Sequence, residues 1–134
     1  MDIFKKIKEL NLPLGKYAVI SGASLSARGI RDAYDIDIIV SPDVFRALKE
    51  SGKFKEKLFS DGTISLSKDC YEISDKFTVS GKDLVPLDVI KNADIIGGFP
   101  FSNLRDELIF KTTFGREKDI KDVELIKKYL LGNK

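Results

Sequence analysis

The sequence predicts an α+β fold: a mixed β-sheet with helices packed on it and a helical pair at the C-terminal end. Three observations predict it. Two short apolar runs rich in β-branched residues, Tyr17 to Ile20 and Asp35 to Val40, read as buried strands. Apolar residues at helical spacing flank these runs. Between Phe54 and Val79, polar and apolar residues alternate, the mark of antiparallel strands with one face towards water.

The elements follow in order. Ile3, Phe4, Ile7 and Leu10 share one face of a first helix, ended by Asn11, Pro13 and Gly15. Tyr17 to Ile20 is a strand closed by the small-residue turn Ser21-Gly22-Ala23-Ser24. Ser24 caps a short helix to about Arg31, weakened by Gly29. Asp35 to Val40 is the second strand. Ser41 or Asp43 opens the next helix, with Pro42 in its first turn, Val44, Phe45 and Leu48 inward, and Gly52 at its end. Phe54 to Val79 gives two or three antiparallel strands, with Asp61-Gly62 as a hairpin signal. Leu84 to Ala93 reads as a helix with Leu84, Leu87, Val89 and Ile90 inward, and GGFPFS as a loop whose Phe99 and Phe101 are exposed packing or partner contacts. Leu104 to Phe114 and about Lys118 to Leu131 form the helical pair, broken at Gly115; Ile120, Val123, Ile126 and Leu130 make a stripe expected in the core. No repeat, linker or low-complexity segment intervenes, so residues 1–134 are expected to form a single domain.

Composition narrows the chemistry. With 43% hydrophobic and 33% charged residues, the chain has the make-up of a globular protein. A net charge of +2 is too mild to announce nucleic-acid binding by bulk electrostatics. There is no histidine, which excludes histidine-ligated zinc, Ser-His-Asp hydrolysis and histidine acid–base catalysis. The single cysteine, Cys70, cannot form an internal disulfide, and neither a signal peptide nor a membrane span is evident, so a cytoplasmic protein without membrane contact is expected.

The chemistry that remains points to Asp35 and Asp37. Side chains two apart on a strand share a face, so these two lie together while Ile36, Ile38 and Val40 line the other side. At about 3.3 Å of rise per residue, their α-carbons stand about 6.5–7 Å apart. Carboxylates so placed converge on a cation; without one they repel, and one tends to hold a proton. Hard divalent ions prefer oxygen ligands, and magnesium takes one or two carboxylates along with phosphate oxygens and water. The turn at Ser21, Gly22 and Ser24, between a strand and a helix start, brings backbone N–H groups and a hydroxyl to where phosphate is attracted. The bland alternative is a strand-end acidic pair facing water or arginines.

Together these residues resemble the signature of the nucleotidyltransferase superfamily, the DNA polymerase β-like fold. That pattern is an apolar residue, Gly, then Gly or Ser, a spacer, and an apolar-flanked Asp-x-Asp. Here Ser21-Gly22 fills the small pair, twelve residues follow, and Asp35-Ile36-Asp37-Ile38 completes it. The stretch ARGIRDAYDIDIIV is similar to the small bacterial and archaeal members, including minimal enzymes and the toxin-type members of toxin–antitoxin pairs. Lys111, then Gly115-Arg116-Glu117-Lys118-Asp119, then Asp122 match the end of those relatives. The departure lies at the glycine motif, where Ser21 stands for the first Gly or Ala23 for the expected Gly or Ser.

The resemblance implies two magnesium ions held by three carboxylates, a nucleoside triphosphate such as ATP as substrate, and transfer of a nucleoside monophosphate to a hydroxyl. Asp35 and Asp37 are two of the acids. Glu72, in DCYEIS, is the choice for the third, with Asp69 and Asp88 as rivals; Asp88 would be favoured if its segment were a strand. Ser21, Gly22, Ser24, Arg31 and Lys111 are the candidates for binding the nucleotide, while Arg28, Arg116 and Lys118 are further cations in reach, and the alternative for Arg116 is a bridge to Asp119 or Asp122. The acceptor (small molecule, protein or tRNA) is left open, and a partner protein or a homodimer is compatible. The alternative is a catalytically degenerate module of the same fold that binds nucleotide or, in toxin–antitoxin fashion, a partner protein.

Overall fold

The structure, a computed structural model, describes residues 1–59, 62–79, 82–84 and 86–132. Among them, six helices and nine strands run in the order α1 (Ile3–Leu10), β1 (Tyr17–Ile20), α2 (Gly22–Ser26), β2 (Ile36–Val40), α3 (Pro42–Glu50), β3 (Lys55–Leu58), β4 (Ile64–Lys68), β5 (Tyr71–Ser74), β6 (Phe77–Val79), β7 (Lys82–Leu84), α4 (Pro86–Lys91), β8 (Asp94–Ile96), β9 (Phe99–Phe101), α5 (Leu104–Phe114) and α6 (Glu117–Gly132). The architecture is α+β with a mixed seven-stranded sheet ordered β3-β4-β5-β2-β1-β9-β8, and β6 and β7 pair apart from it. No helix among the described residues is long and apolar enough to cross a membrane.

Alternation along β2 sets what each sheet face carries. Ile36, Ile38 and Val40 pack in one core with Ile3 and Ile7 of α1 and Val44 and Phe45 of α3. Ile39 faces the other way, into a second core with Ala18, Ile20, Val89, Ile90 and Phe110. Asp37 shares that second face. Slipping β2 by one residue would drive Asp37 into the first core and take Ile36, Ile38 and Val40 out of it, so the register is strongly specified. β2 pairs antiparallel with β1, Ile20 opposite Asp37, and parallel with β5, Glu72 opposite Asp37. The segment from Phe54 does form an antiparallel meander, β3-β4-β5, whose last strand docks on β2.

Several sequence expectations need correction. The helix after β1 starts at Gly22, not behind a Ser24 cap, and ends at Ser26. Ser21 sits at its N-cap with φ 60° and ψ −137°, which turns the chain out of β1 at once and leaves Ser24 inside the helix. GGFPFS is not a loop: β8 and β9 form a hairpin around Gly97 and Gly98, whose φ values of 59° and 88° suit a two-residue turn. β9 joins β1 in parallel, Val19 opposite Phe101. Phe101 is consequently buried, with Phe4 packed edge-on at 5.7 Å, and Phe99 is partly buried beside the same ring. Leu84 ends a strand, and the following helix spans Pro86–Lys91. Asp61 of the hairpin signal and Val85 of the expected helix lie outside the described residues.

The last helix gives the most instructive correction. Ile120 and Leu130 are exposed at 55% and 44%, whereas Asp119, Asp122 and Ile126 are buried. Its inward face is charged because cations on α5 and in the turn before β2 are waiting there, as the site below shows. Gly115, with φ 61°, caps α5 in the left-handed conformation and folds α6 back onto it.

Candidate functional site

The end of the sheet where β1 finishes and β2 begins gathers most of the residues singled out from the sequence. Asp37 stands mid-face between Ile20 and Glu72 on the neighbouring strands. Strand spacing places such opposed residues about 4.8 Å apart across a parallel pair, on the same side of the sheet. Asp35 immediately precedes β2 and is exposed. Asp88, the rival acid, lies on α4, exposed, and Asp69 sits in the β4–β5 turn with φ 51°.

Among the described residues, none of Asp35, Asp37 and Glu72 forms an ion pair. Glu72 Oε1 accepts one bond from Ser65 Oγ at 3.3 Å. Burial, then the charges of Asp35 and Glu72, push the Asp37 carboxyl from 3.8 up to about 7, with Lys118 pulling the other way. Among the described residues the three acids are only partly offset, by Lys118, Arg116 and Arg31 acting at a distance and by no ion pair. Their donor set, all oxygen, fits a hard divalent cation, and a bound cation would relieve the repulsion. Among the described residues no three acidic or sulfur ligands are already drawn together into a cage.

A second charged centre is built quite differently. Asp122 of α6 receives Arg31 in a two-pronged grip, Nε to Oδ1 at 2.7 Å and Nη2 to Oδ2 at 2.9 Å. Lys111 Nζ donates to Asp122 Oδ2 at 2.9 Å. Burial alone would raise the Asp122 carboxyl, but the bonds from Arg31 and Lys111 outweigh it and hold it below the usual range. The bond to Asp122 likewise raises Arg31. Gly22 makes room for this: a Cβ there would stand 3.1 Å from the Arg31 guanidinium nitrogens. Both cations chosen from the sequence as phosphate ligands therefore already hold a carboxylate.

The small-residue turn is tied down from below. Glu107 of α5 is fully buried, and its Oε2 accepts from the Ser21 backbone N–H at 3.0 Å and from Ser102 Oγ at 2.7 Å. Its Oε1 is buried with no hydrogen-bond partner among the described residues, and it is ion-paired at 3.9 Å with Lys111 Nζ, which also donates to Asp122. Burial drives the Glu107 carboxyl upward. Ser24 is fully buried, donating to the Ser102 carbonyl at 2.8 Å and accepting from Arg28 Nη1 at 2.8 Å. Arg28 in turn pairs with Asp94 at 2.7 Å. Ser24 and Arg28 are thus structural supports of the turn.

Two recesses meet at Asp37. A cleft of about 580 Å³ runs over Ser21 and Gly22 past Asp35 to Arg116, Lys118 and Lys121. A cavity of about 300 Å³ extends the other way, across Glu72 and Ser74 to Phe59, Phe110 and Phe114. Arg116 is bonded to Asp119 at 2.6 Å, so that bridge is present. Lys118 and Lys121 are exposed and form no ion pair among the described residues. Sequence reasoning missed Glu107 and Lys121. The signal for Glu107 was its i,i+4 spacing to Lys111, which reads equally well as a solvated pair. Neither protein-family models, curated proteins nor solved structures match this chain.

Proposed function

We propose that the protein is a magnesium-dependent nucleotidyltransferase that moves a nucleoside monophosphate from a nucleoside triphosphate to a hydroxyl acceptor. The observation that carries this reading is the in-register facing of Asp37 and Glu72, with Asp35 two residues before Asp37, in a carboxylate group that forms no ion pair among the described residues. Asp35, Asp37 and Glu72 would hold the metal, which when bound supplies charge neutralisation and Lewis acidity for phosphoryl chemistry.

The chain's own residues do the rest. Lys118 and Lys121 in the basic cleft, which Ser21 and Gly22 also line, attract the polyphosphate. The Arg31–Asp122–Lys111 set keeps the helical pair fixed against the Ser21–Gly22 turn. In the transfer, the acceptor oxygen bonds to the α-phosphorus while the bridge to the β-phosphate breaks, and pyrophosphate leaves with the electron pair. Glu72 takes the acceptor's proton. No histidine is needed.

A second reading, a nucleotide-binding module without transfer, is favoured by the commitment of Lys111 and Arg31 to Asp122. Incubation with α-labelled nucleoside triphosphates and magnesium separates the two. Transfer predicts pyrophosphate release that vanishes in Glu72→Gln; the binding module predicts a magnesium-dependent thermal shift with no release. No shift with any triphosphate would contradict both.

A further inference from the structure

The cleft over Ser21 and Gly22 is lined mostly by charged and small residues, yet a nucleoside triphosphate brings more to it than phosphate. Its base is a flat ring that binds well against another π-face. Among the described residues that line the cleft, Tyr34 is the one aromatic. It is 87% exposed, which alone says little for a surface side chain. Its place and its lack of occupation say more. Tyr34 directly precedes Asp35, and it makes no hydrogen bond, ion pair or ring contact among the described residues. Arg31, already gripping Asp122, interacts with it through charge. The aromatics of the adjoining cavity differ. Lys57 stands over the Phe59 ring at 5.2 Å, Arg116 over the Phe114 ring at 5.1 Å, and Phe110 is buried.

We infer that the Tyr34 ring is the platform on which the nucleobase of the triphosphate stacks, with the α-phosphate at Asp35 and Asp37 and the outer phosphates towards Lys118 and Lys121, and that the site consequently takes purine ahead of pyrimidine nucleotides. The spacing agrees. Tyr34 is three residues before Asp37, so their α-carbons stand no more than about 10–11 Å apart, a span that a nucleoside bridges between its α-phosphate and its base. The lysines and Tyr34 line one cleft with the two aspartates, which gives phosphate and base each a wall of suitable chemistry. A purine lays two fused rings on the phenol face where a pyrimidine lays one, and so removes more apolar area from water. The ring face does this, and the hydroxyl is not required. The inference rests on the reading that this cleft holds a metal-bound triphosphate, with or without transfer.

The test is equilibrium titration of the whole chain, in the presence of magnesium, with ATP, UTP and inorganic tripolyphosphate. The native protein is compared with Tyr34→Ala and Tyr34→Phe; the exposure of the position leaves the fold of both intact, which circular dichroism checks. Native protein should bind ATP more tightly than UTP, and UTP more tightly than tripolyphosphate. Tyr34→Ala is expected to weaken ATP binding by about tenfold, to bring ATP and UTP close together, and to leave tripolyphosphate binding unchanged. Tyr34→Phe should keep the native affinities. An unchanged ATP affinity in Tyr34→Ala, an equal loss for tripolyphosphate, a loss in Tyr34→Phe as large as in Tyr34→Ala, or a native preference for UTP would overturn the assignment. Tripolyphosphate binding beside an ATP affinity indifferent to Tyr34 would remove the platform alone. No magnesium-dependent binding of any of the three would remove the triphosphate reading beneath it as well.

Discussion

Asp122 and Asp37 line the same cleft, and they differ in what the protein provides for them. Asp122 is gripped by Arg31 and Lys111, and its carboxyl is held low. Asp37 faces two more acids, and its carboxyl rises to about 7. A balanced buried cluster is what a fold uses to fasten its parts. An unbalanced one lowers stability, a cost that the proposed metal would relieve. The contrast predicts that neutralising the two aspartates will have opposite effects.

The largest effect should come from Asp122→Ala. It leaves the buried Lys111 ammonium without its close carboxylate and frees Arg31, so denaturant unfolding should show a loss of about 3–5 kcal/mol. Next, Asp37→Asn should stabilise the cation-free protein. The folded-state value of about 7 lies above the ordinary 3.8, so Asp37 favours folding fully below pH 3.8, and this contribution is lost as pH rises through 7. Unfolding at pH 8 should therefore show a gain of roughly 1–3 kcal/mol for the amide variant, shrinking towards zero near pH 4. A gain that did not depend on pH would break the comparison. Smaller again, Ser21→Gly should stabilise by about 1 kcal/mol, since φ 60° is costly for serine and natural for glycine. At the bottom of the scale, Lys16→Ala removes a pair with Asp43 that lies on the surface, and unfolding curves should barely move.

The sequence made the sheet face legible because strand geometry leaves little choice. A period of two puts Asp35 and Asp37 on one side, and the apolar neighbours of Glu72 make it a strand residue on the return pass; the structure sets it directly opposite Asp37. The helical pair hid more. On α6 the stripe of Ile120, Val123, Ile126 and Leu130 outcompeted the row Asp119, Asp122 and Ile126, because periodicity counts apolar residues and cannot see a cation on another element. Arg31 is 91 residues from Asp122, and no local rule connects them. The Gly97-Gly98 hairpin was readable from turn chemistry, but the run GGFPFS is too short to show strand alternation, and pairing of β9 with both β8 and β1 makes it a strand. Ser21 shows both at once: its place in the motif was visible, and the glycine-like backbone it adopts was not.

The central claim is that the unbalanced acids await a divalent cation that brings a nucleotide with it. Its most direct test is an equilibrium titration of ATP, with and without magnesium, into the native protein and the Asp35→Ala/Asp37→Ala variant. Saturable binding that requires magnesium and disappears in the variant, with circular dichroism unchanged, is the expected result. Binding that is indifferent to magnesium, or equally strong in the variant, would contradict the claim.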